Sequence, residues 1–321
     1  TVSPTKQFYH CFGCGANGTA ISFLMEYQGM RFPEAVEELA RKVGMTVPKE
    51  TKNAYEAKQD STSTKQHQTH PTDFLAQASA FYKKQLRTHS RAIAYLKQRG
   101  LSGEVAAKFS LGYAPDDWRA LEKAFTQYED PRLVEAGLVV AKESKSVPGE
   151  LQRYDRFRDR IMFPILNHKG EVIGFGGRVL DKGEPKYLNS PETSVFNKGA
   201  ELYGLFEARQ AIRERKYVLV TEGYMDVVAL AQLGFPNTVA TLGTATSSLH
   251  LQKLLRQTDH IVYSFDGDKA GRRAAWRALE AALPFAADDK RISFLFLPAE
   301  HDPDSFIRAQ GSAAFETEIN R

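Results

Sequence analysis

Cysteine is almost absent from this chain. Its 321 residues include only Cys11 and Cys14, so no disulfide framework can hold the fold together, and a reducing cytoplasm is expected. Long apolar runs are missing as well, because no stretch is long enough to span a membrane and no signal-peptide pattern is visible. What remains is an ordinary globular composition, with 42% hydrophobic and 26% charged residues, in a chain long enough for two or three domains.

A large excess of one charge is also lacking. Lysine and arginine number 43 against 39 aspartates and glutamates, which gives a formal net charge of only +4. So small an excess says little about partners by itself. Because the chain also contains dense acidic segments, the balance suggests segregated charge, with metals and phosphates bound at one place and an anionic polymer at another.

Three apolar segments in the last third of the chain end in acidic residues. Tyr217–Thr221 is followed by Glu222, His260–Phe265 by Asp266 and Asp268, and Arg291–Leu297 by Asp302 and Asp304. Short runs rich in Val, Ile, Tyr and Phe between turn residues are typical of strands buried on both faces. Helical patterns at 225–233, 247–256 and 270–283 and a further strand at 237–242 lie between them. This alternation predicts a parallel sheet with right-handed crossovers.

The five carboxylates are expected to meet at one edge of this sheet. Ligands bind beyond the carboxyl ends of parallel strands, and carboxylates gathered there repel one another unless a cation lies among them. Hard divalent cations such as Mg²⁺ prefer oxygen ligands. Taken singly, an Asp-Gly-Asp segment is usually a solvated turn, and a glutamate after a strand is often a helix N-terminal charge. Three acidic strand ends in one sheet favour the metal site.

Three segments carry a resemblance to a known family. They are Glu222–Asp226, Asp266–Gly271 and Lys186–Thr193, which resemble motifs of the DnaG-type bacterial primases and, for the first two, of the Toprim domain in general. The resemblance runs from about Lys6 to the last residue. It implies an α/β fold, with a Toprim-type parallel sheet and flanking helices preceded by a mixed α+β subdomain and a partial zinc-ribbon domain. It also implies a DNA-dependent RNA polymerase that makes short RNA primers on single-stranded DNA.

The resemblance assigns roles to the acidic residues. Glu222, Asp266 and Asp268 are expected to be catalytic, and together with Asp302 and Asp304 they are expected to hold Mg²⁺ or Mn²⁺. Glu222 remains open between metal ligand and general base, and Asp226, one helical turn later, is expected to support the site. Single-stranded DNA, ribonucleoside triphosphates and the RNA primer are the implied partners, and no membrane is expected to be one.

Cys11 and Cys14 form a Cys-x-x-Cys knuckle with glycines that permit a tight turn. Zinc requires four ligands, and only His10 lies near this pair, so a redox motif or two buried thiols are the alternatives. The resemblance implies half of a zinc ribbon, whose Cys-x-x-His half would precede Thr1, so the zinc site is expected to be incomplete.

Both ends look cut, and we therefore expect a fragment that lacks the C-terminal domain through which such primases contact the replicative helicase.

The interval 151–178 combines arginines with aromatic residues. Arg153, Arg156, Arg158 and Arg160 alternate with Tyr154 and Phe157, which suits a phosphate backbone with unstacked bases, although a solvated cluster paired with Asp155 and Asp159 is the alternative. A hairpin is expected from 161–166 and 171–175. The glycines of 174–177 do not match a dinucleotide-binding motif and favour close backbone approach instead.

The template and nucleotide groove is assigned through the resemblance. Its expected residues are Lys186, Tyr187 and Asn189 in an extended loop, with Arg178 and Lys198. Arg99, in the segment Lys97–Ser102, is expected to contact nucleic acid, with a helix C-terminal charge as the alternative.

The expected domains are a partial zinc ribbon at 1–47, a polar linker at 48–71, a basic N-terminal subdomain of the polymerase at 72–215, and the Toprim subdomain with the start of a helical region at 216–321. A Toprim nuclease or topoisomerase fragment is an alternative function, although nothing marks one of the 13 tyrosines as a nucleophile. A non-catalytic single-stranded-DNA-binding module is another.

Overall fold

The computed structural model describes residues 1–3, 8–10, 17–28, 30, 32–42, 45, 70–143, 151–181, 183–243, 245–265, 269–298 and 301–320. It divides the chain into two compact units, Thr1–His67 and Gln68–Arg321. Within the described parts of the chain, no helix is both long enough and apolar enough to cross a bilayer.

The first unit contains a small antiparallel sheet and two helices. Strand β1 (Val2–Ser3) pairs with β2 (Phe8–His10), which pairs with β3 (Asn17–Gly18). Helices α1 (Ala20–Gln28) and α2 (Phe32–Lys42) follow, and they bury Leu24 and Ala35 in a core of their own. Cys11 and Cys14 lie outside the described residues.

The second unit begins with helices and a four-stranded antiparallel sheet. The helices are α3 (Pro71–Thr88), α4 (Ser90–Gln98), α5 (Gly103–Lys108) and α6 (Pro131–Glu135), with a 3-10 helix at Ala120–Lys123. Helix α3 begins at Pro71, the last residue of the segment predicted as a linker, and His70 caps it by accepting a hydrogen bond from the Thr72 backbone nitrogen. Ser102 caps α5 by accepting a hydrogen bond from the Val105 backbone nitrogen.

The antiparallel sheet has the strand order β4–β7–β8–β9. Its strands are β4 (Gly112–Ala114), β7 (Arg160–Leu166), β8 (Val172–Val179) and β9 (Tyr187–Asn189). The hairpin of β7 and β8 was predicted, and β8 is longer than expected. The segment around Tyr187, which was expected to be an extended loop, is instead the edge strand β9, because its backbone pairs with Gly176–Arg178. A separate ribbon joins β5 (Val139–Glu143) to β6 (Leu151–Asp155).

The last third of the chain forms the predicted parallel sheet. After helix α7 (Leu205–Arg215), the strands are β10 (Val218–Thr221), β11 (Thr238–Ala240), β12 (His260–Phe265) and β13 (Arg291–Phe296). They lie in the order β11–β10–β12–β13, and every pair is parallel. Its helices are α8 (Tyr224–Gln232), α9 (Ser248–Leu255), α10 (Lys269–Ala282), α11 (Pro303–Gln310) and α12 (Ser312–Asn320). The predicted fold class is confirmed.

The two sheets meet through glycine and tyrosine. Tyr224, the first residue of α8, packs so closely on β8 that a Cβ atom at Gly176 would lie 2.4 Å from its Cζ atom. The Tyr224 hydroxyl donates to the Asn189 side-chain oxygen on β9 over 2.8 Å, and the Asn189 amide donates to the Leu242 carbonyl over 2.8 Å. The close approach expected of the glycines is thus an approach to an aromatic side chain.

Candidate functional site

The first acidic residues lie at the carboxyl end of β10. Glu222 follows the strand directly and is exposed, and Asp226 lies in the first turn of α8. Gly223 between them is the N-cap residue, and a Cβ atom there would lie 2.9 Å from an Asp226 carboxylate oxygen. The small residue lets the chain turn from strand into helix while both carboxylates stay at the same end of the strand.

The second pair of carboxylates begins α11. Asp302 is the N-cap residue, and its Oδ1 accepts from the Ser305 backbone nitrogen over 2.7 Å, while Pro303 occupies the first helical position. Asp304 pairs with Arg308 over 2.9 Å. Burial raises the Asp304 pKa, and the Asp302 charge raises it further, whereas Arg308 and Arg99 act in the opposite direction. Asp302 and Asp304 therefore form a close acidic pair.

Asp266 and Asp268 lie outside the described residues, so the prediction that all five carboxylates meet stays a prediction. Among the residues that are described, no group of three or more His, Cys, Asp or Glu side chains is arranged to hold a metal ion. The chemistry of the described donors nevertheless fits a hard cation, because Glu222, Asp302 and Asp304 offer only carboxylate oxygens at the predicted edge.

Strand β9 presents the predicted groove residues and is held by two arginines. Arg156 donates from Nε and Nη2 to the Asn189 carbonyl over 3.1 and 2.8 Å. Arg160 donates from Nη1 to the Gly177 and Lys186 carbonyls over 3.2 and 3.4 Å. Burial lowers the pKa of both guanidinium groups. These two arginines support the strand, and the Lys186 side chain is left exposed.

The alternative pairing of the arginine cluster with Asp155 and Asp159 is wrong. Asp155 is buried and accepts hydrogen bonds from the Tyr128 hydroxyl over 2.7 Å and from the Leu121 backbone nitrogen over 2.9 Å. Asp159 accepts from the Tyr113 hydroxyl over 2.8 Å and pairs with Arg91 of α4. Both carboxylates are engaged by residues distant in sequence, which charge alternation along one strand does not reveal.

Arg178 lies between two tyrosines. It is 7% exposed, donates to the Tyr187 hydroxyl over 3.0 Å, and its guanidinium carbon lies 5.4 Å from the ring centroids of both Tyr187 and Tyr95. Arg99, at the end of α4, lies 5.6 Å from the same Tyr95 ring. The charge of Arg99 lowers the Asp304 pKa, and the charge of Asp226 raises the Tyr187 pKa, which burial raises more strongly. Arg99 and Tyr187, two residues predicted for the groove, therefore lie near Asp304 and Asp226 of the predicted acidic edge.

Lys198 is half-buried, and its backbone is held on both sides. Its nitrogen donates to a Glu192 carboxylate oxygen over 3.1 Å, and its carbonyl lies 3.0 Å from His250 Nε2. His250 Nδ1 lies 3.2 Å from the Ser247 backbone nitrogen, and the Ser247 hydroxyl donates to the Gly199 carbonyl. Burial lowers the His250 pKa, so the neutral ring accepts at Nδ1 and donates at Nε2.

Sequence reasoning missed Tyr95 and His250, and it named Arg156 and Arg160 as possible contacts to nucleic acid and not as supports of strand β9. Tyr95 could have been recognised from its spacing, since it lies four residues before Arg99 and residues four apart on a helix lie on one face. His250 lies three residues after the capping Ser247, where the capping box usually has Glu or Gln. The two arginines had no signal of this kind, because their partners are backbone carbonyls of other strands.

Three family models match the chain. A CHC2 zinc finger model matches residues 1–55, a model of the N-terminal domain of the DNA primase catalytic core matches residues 81–209, and a Toprim-like model matches residues 219–307. The DNA primase of Neisseria meningitidis serogroup A is 56% identical over 98% of this chain and 52% of its own length. That of Pseudomonas aeruginosa is 50% identical over 100% of this chain and 48% of its own. The chain thus spans about half the length of the curated relatives that it matches.

Solved structures agree with these matches. A DNA primase domain from Pseudomonas aeruginosa is 52% identical, with a TM-score of 0.72 over 78% of each chain. A DnaG primase catalytic domain bound to single-stranded DNA is 46% identical, with a TM-score of 0.72 over 78% of this chain and 80% of that one. The zinc-binding and RNA polymerase domains of the Aquifex aeolicus primase are 33% identical, with a TM-score of 0.70 over 99% of this chain and 74% of that one. The chain belongs to the family of DnaG-type bacterial DNA primases.

Proposed function

We propose that this chain carries the DNA-dependent RNA polymerase activity of a primase. It would synthesise short RNA primers on single-stranded DNA in the bacterial cytoplasm, by nucleotidyl transfer from ribonucleoside triphosphates. The observation that carries this proposal is the proximity of the turn after Arg99 to the acidic edge, since a Cβ atom at Gly100 would lie 2.6 Å from Arg308 Nη2 and Arg308 pairs with Asp304. The carboxylates at the end of the parallel sheet lie within electrostatic reach of Arg99 and of Tyr187, which belong to the basic groove. A template strand in the groove would therefore lie beside the acidic edge.

Divalent ions fit the acidic edge. The proposed ligands are Glu222, Asp302 and Asp304, with Asp266 and Asp268, and all of them are oxygen donors. When bound, Mg²⁺ or Mn²⁺ would neutralise nucleotide phosphates and activate the primer 3′-hydroxyl for attack on the α-phosphate, with pyrophosphate leaving. Glu222 would act as a ligand or accept the hydroxyl proton, and Asp226 would support it from the next turn. Cys11 and Cys14 are proposed as part of a zinc ribbon, matching the CHC2 zinc finger model.

The proposed groove residues would contact different parts of the nucleic acid. Lys186, Lys198, Arg99 and Arg178 supply positive charge for phosphates. Tyr187 and Asn189 offer an aromatic ring and an amide, although the Asn189 amide oxygen already accepts from the Tyr224 hydroxyl and its nitrogen donates to the Leu242 carbonyl. We therefore propose that Asn189 positions the groove floor against the parallel sheet. The known neighbour bound to single-stranded DNA supports a nucleic-acid groove in this family.

Asp302 provides a matched pair of variants that tests the metal assignment. Asparagine is as good an N-cap residue as aspartate, whereas alanine loses the cap at a cost of about 1 kcal/mol. Asp302→Asn should therefore weaken Mn²⁺ binding by about tenfold or more with little change in the unfolding midpoint. Asp302→Ala should weaken binding similarly and also lower the midpoint. Isothermal calorimetry with a nucleoside triphosphate present measures the first quantity, and thermal unfolding measures the second.

Asp266→Asn, assayed in the same way and in primer synthesis on single-stranded DNA, completes the test. We expect loss of Mn²⁺ binding and a rate lower by orders of magnitude, since the carboxylate acts by charge and position. Equal Mn²⁺ binding by the wild type, Asp302→Asn and Asp266→Asn would contradict the metal site and favour a non-catalytic DNA-binding module. Cleavage of DNA in Mg²⁺ without nucleotides would favour the Toprim nuclease instead.

A further inference from the structure

One tyrosine ring connects the two arginines of the groove. Tyr95 lies on α4, four residues before Arg99, and its ring centroid lies 5.6 Å from the Arg99 guanidinium carbon. Arg178 comes from β8, far away in sequence, and its guanidinium carbon lies 5.4 Å from the same centroid. The ring thus holds two cations that belong to different elements of the fold.

Neither arginine forms an ion pair with a carboxylate among the residues that the structure describes. Arg99 is exposed and makes no ion pair there, and the nearby Asp304 is paired with Arg308. Arg178 is 7% exposed, and its buried Nε atom has no hydrogen-bond partner in the described part of the chain. Its only described side-chain hydrogen bond goes to the neutral Tyr187 hydroxyl. A buried guanidinium with an unused donor is costly unless a ligand completes it.

The chemistry of this arrangement selects an anion with several acceptor oxygens. The negative faces of aromatic rings attract the guanidinium groups and hold them in position, but they supply no hydrogen-bond acceptors for the planar forks. A phosphate group supplies those acceptors and the opposite charge, and arginine matches its geometry in a bidentate manner. The two arginines also adjoin the acidic edge, where phosphates of the substrate or template would pass.

We propose that Tyr95 is a positioning residue that holds Arg99 and Arg178 as a pair for binding one phosphate group of a nucleic-acid strand or a nucleotide. This inference rests on the proposed function, because it accepts the assignment of both arginines to the groove. Tyr95 itself touches no ligand in this proposal. The aromatic ring holds the two arginines, whereas the buried Tyr95 hydroxyl has no hydrogen-bond partner among the residues that the structure describes.

The ring and the hydroxyl can be separated by substitution. Tyr95→Phe keeps the ring and removes an unpartnered hydroxyl, so phosphate binding should be unchanged. Tyr95→Leu keeps an apolar side chain against the hydrophobic core but removes the ring faces. Tyr217→Leu is the matched control, because Tyr217 is also half-buried beside an arginine, Arg215, but lies at the opposite end of β10.

The measurement is the salt dependence of binding to a single-stranded oligonucleotide, followed by fluorescence anisotropy. Each phosphate contact contributes about 0.7 to the slope of log K against log salt for single strands. Tyr95→Leu should lower this slope by about that amount and weaken binding by about tenfold. Tyr95→Phe and Tyr217→Leu should match the wild type. A residue with only a packing role would change the unfolding midpoint and leave the slope unchanged.

A second series protects the test against misfolding of Tyr95→Leu. Phenylalanines with increasing ring fluorination at position 95 keep the ring in place while they reduce the negative potential of its face. Affinity for the strand or for the nucleotide should then fall stepwise with fluorination. A parallel titration with a nucleoside triphosphate distinguishes the two sources of phosphate, since only the ligand that uses the pair should lose affinity.

The outcomes separate this inference from the proposed function. If Arg99→Ala combined with Arg178→Ala weakens binding, while Tyr95→Leu and the fluorinated series bind both ligands like the wild type, the role of Tyr95 is refuted and the groove stands. If the double arginine variant itself binds both ligands like the wild type, the assignment of the arginines fails, and the inference fails with it.

Discussion

At the scale of single residues, the clearest consequence of tertiary burial is the carboxyl group of Asp155. It is 1% exposed at the end of β6, and its hydrogen-bond donors are the Tyr128 hydroxyl and the Leu121 backbone nitrogen. Burial raises its pKa to about 6, although both hydrogen bonds act in the opposite direction. Arg158 donates to its backbone carbonyl, and the positive charge of Arg158 also lowers this pKa. The folded state therefore holds this proton more tightly than a solvated carboxyl group does.

This raised pKa predicts how stability depends on pH. The carboxyl group of an unfolded chain has a pKa of about 3.9, so the folded state binds the proton more tightly. The resulting stabilisation is fully present below about pH 4 and is lost as the pH rises through about 6, for a total of about 3 kcal/mol. Asp155→Asn should remove this contribution from the pH dependence of the unfolding free energy, measured with urea at about pH 4.5 and about pH 7.5.

Asp116→Asn provides the control for this prediction, because Asp116 is an exposed carboxyl in the same part of the fold. It should leave the pH dependence as in the wild type. An Asp155→Asn protein whose stability changes with pH as steeply as that of the wild type would contradict the assignment.

At the scale of secondary-structure elements, the contact between β8 and α8 aligns the groove with the acidic edge. Tyr224 begins α8 directly after Glu222 and Gly223, lies against Gly176, and donates to Asn189. Gln232, at the other end of α8, binds the Gly100 carbonyl and the Ser102 nitrogen over 2.7 Å each. One helix therefore contacts β8, β9 and the turn that follows Arg99.

This packing predicts unequal effects of two glycine substitutions. Gly176→Ala would place a Cβ atom 2.4 Å from the Tyr224 ring, so the helix or the strand must move, and we expect a loss of about 1–3 kcal/mol of stability. Gly103→Ala, in the first turn of α5, meets nothing within 4 Å and should be neutral or stabilising by up to about 1 kcal/mol. Guanidinium unfolding of both variants tests the prediction, and a Gly176→Ala protein as stable as the wild type would refute it.

At the scale of the whole molecule, each of the two units has hydrophobic clusters of its own among the described residues. The buried core of the first unit consists of Leu24, Met30 and Ala35. Every residue of the four larger clusters falls within 75–319. The four-stranded antiparallel sheet and the parallel sheet of the second unit share one cluster. In it, Phe163 of β7 stacks on Tyr224 of α8 with 5.3 Å between the ring centroids. We therefore expect the second unit to fold as one cooperative body.

Removal of residues 1–67 tests this expectation. A chain of residues 68–321 should unfold in a single transition with the same midpoint as the corresponding transition of the full chain, because a domain is stabilised by its own core. Circular dichroism and tryptophan fluorescence report it well, since Trp118 and Trp276 lie in its two halves. Two separate transitions in the shortened chain, or a markedly lower midpoint, would show that the division is wrong.

The sequence alone was sufficient for the parallel sheet and for the family. Each of its strands is a short apolar run that must be buried on both faces, and its helices carry their own start and stop signals, so local pattern determines the order of elements. Glu222 follows β10 directly and Asp302 lies in the connection from β13 to α11, so parallel topology predicts that both chain positions lie at one edge. The assignment of Glu222, Asp302 and Asp304 to one metal site stays a prediction.

Only the tertiary structure decided how the charged and aromatic side chains are used. Arg156 and Arg160 look like groove cations in sequence but bind carbonyls of neighbouring strands, and Asp155 is buried under Tyr128 instead of pairing with them. Tyr187 lies in a strand, and Tyr95 joins Arg99 to Arg178. The physical reason is that these partners are brought together by contacts between elements far apart in the chain, and no local periodicity encodes such contacts.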